Sequence, residues 1–405
     1  MSPASLNPDY SEVIVFHKPE ATHVAAARAK SVAASFPKPS SLFEDLEIAR
    51  KGREVSADYL KRADAADAPI YFPNLGITLG YVDKKALNKL KRHPAVASVS
   101  AAPRLQHIPP VRVAAAQLTR KLTWGLEKLE IPKLWAQGLT GKGVLVGHLD
   151  TGVDTRHPAL RGQIEQFTEW NLMGQRVPNA TPHDSGDHGT HTAATICGRA
   201  VDGRSVGVAP GAKLCSGLVI EGGNTNARIL GGLDWLAGLG LRIISLSLGY
   251  PGYDPVFLRL VNILLARNLL PVFAIGNEGP NTSRSPGNYP RTLATGAINE
   301  TGHTAIFSGS QHFRRRQDPD KPDVVSPGVN VISAAPGGGY QTMDGTSMAT
   351  PHVAGVAALL LEAKPTATAV QLHSALIRSS ARIKGEPRLR HGAGLIQPLR
   401  ALQLL

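Results

Sequence analysis

The chain has 405 residues, more than one compact domain ordinarily holds, and 42% of them are apolar, so a large domain with a deep core plus a smaller one is expected. That composition, with no low-complexity tract, excludes an extended disordered chain. A formal charge of +13 raises nucleic-acid binding, but the basic residues are scattered and the tightest cluster, Arg314-Arg315-Arg316, runs at once into Asp318, Asp320 and Asp323, so no nucleic-acid partner is expected.

At the amino terminus Asp9, Glu12, Lys18 and Glu20 interrupt every apolar stretch, so a secretory leader is not expected. No segment reaches the roughly 18 apolar residues that span a bilayer, so no membrane partner is expected either. The expectation is a soluble protein of the cytoplasm, or one exported without a leader. Cys197 and Cys215 are the only cysteines, and buried free thiols are their expected state.

Residues 13–16 read as a short apolar strand, 22–35 as an Ala-rich helix, and 70–72 and 75–82 as two more strands. Asp83 caps a basic helix that runs to Arg92, and residues 96–99 close the unit as a strand. The order β-α-β-β-α-β, with residues 36–67 as a partly helical insertion, predicts a small ferredoxin-like α+β module. Residues 108–119 turn Pro-rich and then small and extended, which predicts a cleavable linker and divides the chain into units of residues 1–118 and 119–405. Beyond it, apolar strands at 144–149, 214–219, 243–248 and 271–275 alternate with helical stretches near 228–237 and 255–267. This is an α/β pattern, a largely parallel sheet covered on both faces, with ligands expected beyond the carboxyl ends of its strands.

Four segments carry groups able to do chemistry there. Asp150 ends an apolar strand before Thr151-Gly152, which sets a carboxylate at the site's edge; alone it reads as a turn-former, and Asp154 keeps that reading as a solvated turn residue. Asp187-His188-Gly189-Thr190-His191 opens a helix of small residues with two histidines, either of which is a candidate base. Zinc is not expected, because the His-Glu-x-x-His pattern lacks both its Glu and its spacing, so no metal ligand is assigned. Asn277 ends a buried strand between glycines and donates an N–H without a competing charge. Gly345-Thr346-Ser347 puts a hydroxyl where an apolar helix begins, and the unpaired N–H groups there favour the negative charge that develops when it attacks a carbonyl.

Asp150-Thr151-Gly152, His188-Gly189-Thr190-His191, Gly276-Asn277-Glu278-Gly279 and the run from Gly345 through Ser347 and His352 to Gly355 occur in this order. Together they resemble the subtilisin-type serine peptidases, from about Trp124 to the carboxyl terminus. The resemblance implies a three-layer α/β/α fold around a mostly parallel sheet. It implies a serine endopeptidase acting on proteins or peptides, in which Asp150 orients the imidazole, His188 rather than His191 is the base, and Ser347 is the nucleophile. Asn277 then joins the Ser347 backbone N–H in the oxyanion hole. Substrate is expected as an added strand, with Ser247-Leu248-Gly249 on one side of the primary pocket and Ala274-Ile275-Gly276 on the other.

By the same resemblance Tyr250 replaces a small residue and is expected to narrow or cap the cleft, Glu278 to lie near the pocket floor as a solvated carboxylate, and His352 to pack. No cofactor is required for the chemistry. A structural calcium, which the family often holds in the loop after the His-bearing helix, meets Arg199 and Arg204 here, and two cations repel a dication. The amino-terminal module resembles the family's propeptide, which implies an intramolecular inhibitor and a self-processing zymogen with residues 111–119 entering the site as product. The alternative is a catalytically silent binding homologue, and the complete set Asp150, His188, Asn277 and Ser347 speaks against it.

Overall fold

The computed structural model describes residues 9–19, 22–37, 68–220, 222 and 224–405. The insertion expected at 36–67 lies, after its first two residues, outside the described residues. The small unit follows the expected order: β1 (Ser11–His17), α1 (Thr22–Ala33), β2 (Ile70–Phe72), β3 (Ile77–Val82), α2 (Lys84–Arg92) and β4 (Val96–Ala101). The strands pair antiparallel in the order β2-β3-β1-β4. Asp83 caps α2 by accepting the Ala86 N–H.

Alternation along β1 sorts its side chains by face. Val13 and Val15 pack with Val32, Ala86 and Leu90 inside the small unit, whereas Ile14 and Phe16 join Phe72, Leu75, Ile77 and Leu79 in a core shared with the larger unit. Next come β5 (Gln106–His107) and β6 (Arg112–Ala116), each paired with the larger unit, so the linker expected at 108–119 contains a paired strand, β6, and follows another.

That unit contributes β7 (Leu145–Asp150), β8 (Ile164–Glu169), α3 (His188–Cys197), β9 (Lys213–Leu218), α4 (Thr225–Gly238), β10 (Ile243–Leu246) and β11 (Leu248–Pro251). It continues through α5 (Leu258–Ala266), β12 (Leu270–Ala274), β13 (Arg284–Ser285), β14 (Leu293–Ile298) and the short ribbon β15 (Gln311–His312) and β16 (Asp320–Lys321). It ends with β17 (Val324–Pro327), β18 (Val331–Ala334), β19 (Tyr340–Asp344) and α6 (Thr346–Ala363), followed by shorter helical pieces. Seven strands form one parallel sheet in the order β17-β14-β12-β10-β7-β9-β8.

Neighbouring residues face opposite layers: Val146, Ile243 and Val272 pack toward α3 and α6, and Leu149, Ile244 and Phe273 toward α4 and α5. This is the expected three-layer α/β/α arrangement, and because both faces are covered its strands are nearly continuous apolar runs. The strand expected at 243–248 breaks at Ser247. β10 stays in the main sheet, and β11 leaves it to pair with β13 and β5.

The small unit docks on α4 and α5. Asp234 accepts the Leu75 N–H (3.0 Å) and an Asn74 amide proton, and Asn226 bridges Glu12 (2.7 Å) and the Leu105 N–H (3.0 Å). Arg259 donates to the His17 carbonyl and lies over the Phe16 ring. Cys197 and Cys215 are buried free thiols. Among the described residues no helix is long and apolar enough to cross a membrane.

Candidate active site

Two glycines bring the carboxyl end of β7 against the first turn of α3. Gly152 adopts φ +114°, and a Cβ there would lie 2.1 Å from the His183 carbonyl oxygen; a Cβ on Gly189 would lie 2.0 Å from the Gly152 carbonyl oxygen. With no side chains between them, His188 Nδ1 donates to Asp150 Oδ1 at 2.7 Å. Asp150 also accepts the Thr151 N–H (2.7 Å) and the Thr192 hydroxyl (3.1 Å). Burial pulls the Asp150 pKa up, but the charge and hydrogen bond of His188, then His148 and His107, outweigh it and hold the carboxyl well below the usual range. An ionised Asp150 keeps the proton on His188 Nδ1, leaving Nε2 as the basic nitrogen.

His148, two residues before Asp150 and on the same strand face, bonds the Ser216 and Thr192 hydroxyls and lies 3.7 Å from Asp150 Oδ2. Asp184 accepts from the Thr151 hydroxyl and from the amide and hydroxyl of Thr190, tying the β7 turn to α3. His148, Asp184 and Thr192 were not among the candidates read from the sequence; the signals were the period of two on β7 for His148 and, for Thr192, its place one helical turn after His188.

Ser347 sits in the first turn of α6, fully buried. Pro351 has no N–H to offer the Ser347 carbonyl four residues back, and the Ser247 hydroxyl donates to that carbonyl instead (3.3 Å). Asn277 is oriented by Thr346, whose amide (2.9 Å) and hydroxyl (2.8 Å) both donate to Asn277 Oδ1, so that Nδ2 faces the cleft.

The cleft is filled by the chain's own segment. β5 adds antiparallel to β11 with Leu248 opposite His107 and Gly249 opposite Gln106, and the Ile108 N–H donates to the Ser247 carbonyl at 3.1 Å. Ser347 Oγ donates to the Ile108 carbonyl and Asn277 Nδ2 to the Pro109 carbonyl, both at 2.8 Å. The Val111 N–H then bonds the Asp344 carbonyl, and β6 pairs with β19. The segment at the nucleophile is therefore 106–110 and not the expected 111–119, because β19 offers residues 112–116 a strand edge of their own. The His107 ring meets the His188 ring edge-on, centroids 4.1 Å apart.

The expected pocket walls differ in kind. Ser247, Leu248 and Gly249 pair with the segment, whereas Ala274, Ile275 and Gly276 are held from behind: the Arg284 N–H donates to the Ile275 carbonyl and the Gly309 N–H to the Gly276 carbonyl. Tyr250 does not cap the cleft. Strand alternation turns it into the core, where its hydroxyl bonds the Asp254 carbonyl and the Tyr289 hydroxyl. Glu278 is not simply solvated, since Arg284 Nε donates to its Oε1 at 2.8 Å. Asp154 is buried, accepting from Arg156 and from the Gly337 N–H, because the chain folds 330–340 back over that turn.

His191 is buried and bonds the Val331 carbonyl, with burial pushing its pKa down to about 3, so of the two histidines it is the structural one. His352 is likewise buried, bonding the Met348 carbonyl. In the loop after α3, Val201 and Arg204 close on each other through reciprocal N–H to carbonyl bonds, and the Arg199 N–H takes the Ala159 carbonyl. Side-chain N and O atoms of His107, Asp150 and His188 lie within 4.8 Å of one another, but Asp150 and His188 are already bonded together, which leaves too few donors for a tetrahedral cation.

A parallel α/β/α sheet that holds a peptide strand against a helix-borne serine, beside a carboxylate-paired imidazole, defines a serine peptidase. The chain belongs to the subtilase family, Peptidase S8, which residues 141–395 match, and it is a serine-type endopeptidase. Subtilisin E of Bacillus subtilis (strain 168) is 34% identical over 366 residues, 88% of this chain and 85% of its own. M-protease of Shouchella clausii (strain KSM-K16) is 36% identical over 284 residues, 69% of each chain. Subtilisin Savinase of Lederbergia lenta is 36% identical over 282 residues, 68% of this chain and 97% of its own.

Proposed function

We propose that Asp150, His188 and Ser347 are the catalytic triad of this endopeptidase, that Asn277 and the Ser347 N–H bind the oxyanion, and that residues 1–118 are a propeptide inhibiting peptidase unit 119–405 until removed. His188 Nε2 takes the Ser347 proton as Oγ attacks the substrate carbonyl, Asp150 stabilises the imidazolium, and Asn277 Nδ2 donates to the charged oxygen. The imidazolium protonates the leaving amine, an acyl-enzyme remains, and water repeats the sequence. Each group in this scheme belongs to the chain itself, so the reading assigns no metal or organic cofactor to the reaction. Its partners are protein and peptide substrates and its own propeptide, with no role given to nucleic acid or membrane.

The observation carrying the zymogen reading is the pair of 2.8 Å contacts from Ser347 to Ile108 and from Asn277 to Pro109. A peptide held in that register competes directly with substrate. Expression of Ser347→Ala should yield one full-length species that a fluorophosphonate probe does not label, while the wild type is trimmed and labelled. Trimming of Ser347→Ala to the same product would refute self-processing.

A further inference from the structure

His148 is buried on the same face of β7 as Val146, which packs into the apolar core. Placing an imidazole there costs free energy unless both of its nitrogens are bonded. Both are: Nδ1 meets Ser216 Oγ at 3.0 Å across the β7–β9 pair, and Nε2 meets Thr192 Oγ1 of α3 at 2.9 Å. Burial pushes the His148 pKa down against the pull of Asp150, so the ring is neutral, with one nitrogen a donor and the other an acceptor. Asp150 decides which, because its Oδ2 lies 3.7 Å from Nε2 and a carboxylate favours the proton on the side facing it. Nε2 then donates to Thr192 Oγ1, and Nδ1 accepts the Ser216 proton.

Thr192 has one hydroxyl proton and three further acceptors in reach, Asp150 Oδ2 at 3.1 Å and the His188 and Gly189 carbonyls at 3.2 Å each. With His148 donating into its oxygen, Thr192 keeps that proton for the acceptor that bears a full charge, Oδ2. The opposite tautomer would draw the proton onto His148 and leave Oδ2 bare, since His188 Nδ1 and the Thr151 N–H both bond Oδ1. The donors of Ser216, His148 and Thr192 therefore run in one direction and end on the carboxylate oxygen that the rest of the site does not hold.

We propose that His148 is a positioning residue for the triad: acting through the Thr192 hydroxyl, it holds the second oxygen of Asp150 and so fixes the carboxylate that orients His188. The inference rests on the triad reading of this site. A carboxylate gripped at both oxygens cannot turn away as the proton moves onto the imidazole, whereas one gripped at Oδ1 alone can.

Two arms test it on the full chain. In the kinetic arm, self-processed enzyme is counted by fluorophosphonate titration, so that misfolded molecules drop out. Thr192→Val should lower kcat per labelled site by about tenfold, the worth of one hydrogen bond to a charged group, with KM unchanged. Thr192→Ser, which returns the hydroxyl, should recover the loss. His148→Leu should cost as much as Thr192→Val, and the double variant no more than either, because both act through one bond. Additive losses, equal kcat in Thr192→Ser and Thr192→Val, or a loss confined to KM or to the number of labelled sites would overturn the proposal.

The second arm needs no turnover. In a Ser347→Ala background at fixed pH, the proton resonance of His188 Nδ1–H reports its bond to Asp150. Thr192→Val and His148→Leu should both move it downfield, because a carboxylate that loses one donor holds the next more tightly, and Thr192→Ser should leave it in place. A resonance unmoved in both variants, or moved upfield, would overturn the proposal. If the wild type is neither labelled nor active, the triad reading fails, and the resonance alone decides whether His148 acts on Asp150.

Discussion

Ser347 Oγ donates to the Ile108 carbonyl at 2.8 Å, so the nucleophile's proton is directed at the amino-terminal segment, while His188 Nε2 has no hydrogen-bond partner among the described residues. The base and the nucleophile flank the segment without being coupled through it. Asn277 Nδ2 grips the Pro109 carbonyl while Ser347 Oγ meets the Ile108 carbonyl, so the peptide bonds at the catalytic groups are Ile108–Pro109 and Pro109–Pro110.

Both bonds are poor substrates, because a proline ring, that of Pro109 or of Pro110, sits on the leaving nitrogen, where the imidazolium must deliver its proton. The same segment that fills the cleft is thus shielded from it. Processing at the end of the linker should then require a second molecule, and the wild-type rate should rise with protein concentration. The double variant Pro109→Ala, Pro110→Ala should process about tenfold faster or more, equivalent to at least about 1.4 kcal/mol off the barrier, and independently of concentration. Gel time courses across a dilution series check both, and a concentration-independent wild-type rate unaffected by the double variant would rule the shielding out.

Asn277 has two separable jobs, since its Oδ1 accepts from Thr346 and its Nδ2 faces the reacting carbonyl. Asn277→Asp keeps the acceptor and removes the donor. It should lower kcat by about 10²- to 10³-fold, the magnitude known for such a donor in subtilisin, with KM and Tm nearly unchanged. Asn277→Ala should lose the same activity and also about 1–3 kcal/mol of stability from the orphaned Thr346 groups. Paired kinetics and thermal melts separate the two, and a fall in KM matching that in kcat would argue against a role confined to the transition state.

The layers, the strand order of the small unit and the candidacy of Asp150, Asn277 and Ser347 were legible because each follows from local pattern, whereas the choice of His188 over His191 came only from the family resemblance. Buried parallel strands read as apolar runs, and glycine beside a chemical group marks a close approach such as that of Gly152 and Gly189. What stayed hidden depends on pairings between distant segments. Nothing near Tyr250 says which face of β11 it takes, since that is settled only when Ser247 breaks the strand. Arg284 reads as an ordinary loop cation until β13 lies beside Gly249. The register of 106–110 in the cleft likewise needs β19 to claim 112–116. Asp154 looked solvated because the segment covering it, near Gly337, is far away in sequence.

His107 gives the docked segment a pH dependence of known sign. Burial foremost, then the neighbouring His188 charge, push its pKa down to about 3, with Arg284 adding to that effect and Asp150 opposing it. A histidine in a released segment titrates near its ordinary value of about 6.5. Above that pH it is neutral in both states and docking is at full strength. Below it the released segment takes up a proton that the docked one refuses, so docking weakens by up to about tenfold per pH unit. In Ser347→Ala, exchange protection of residues 106–108, corrected for intrinsic rates, should fall between pH 7.5 and 5.5, and His107→Leu should flatten the response. An identical pH response in His107→Leu would assign it to another group.

Asp234 anchors the small unit at a distance from the chemistry. Its carboxylate accepts the Leu75 N–H at 3.0 Å and an Asn74 amide proton at 3.3 Å, joining the β2–β3 turn to α4. Hydrogen bonds to a charged group contribute about 1.5–3 kcal/mol, and Asp234→Ala leaves a turn amide facing an apolar helix surface. The shared core of Ile14, Phe16 and Leu79 stays intact, so the small unit should still dock, but with a shorter residence. In a Pro109→Gly, Pro110→Gly or wild-type background alike, Asp234→Ala should raise the fluorophosphonate labelling rate of unprocessed chain by about 10- to 100-fold. The processed enzyme's kcat/KM should not change, because α4 touches neither Ser347 nor His188. A loss of kcat/KM in the processed enzyme would show instead that Asp234 supports the peptidase unit itself.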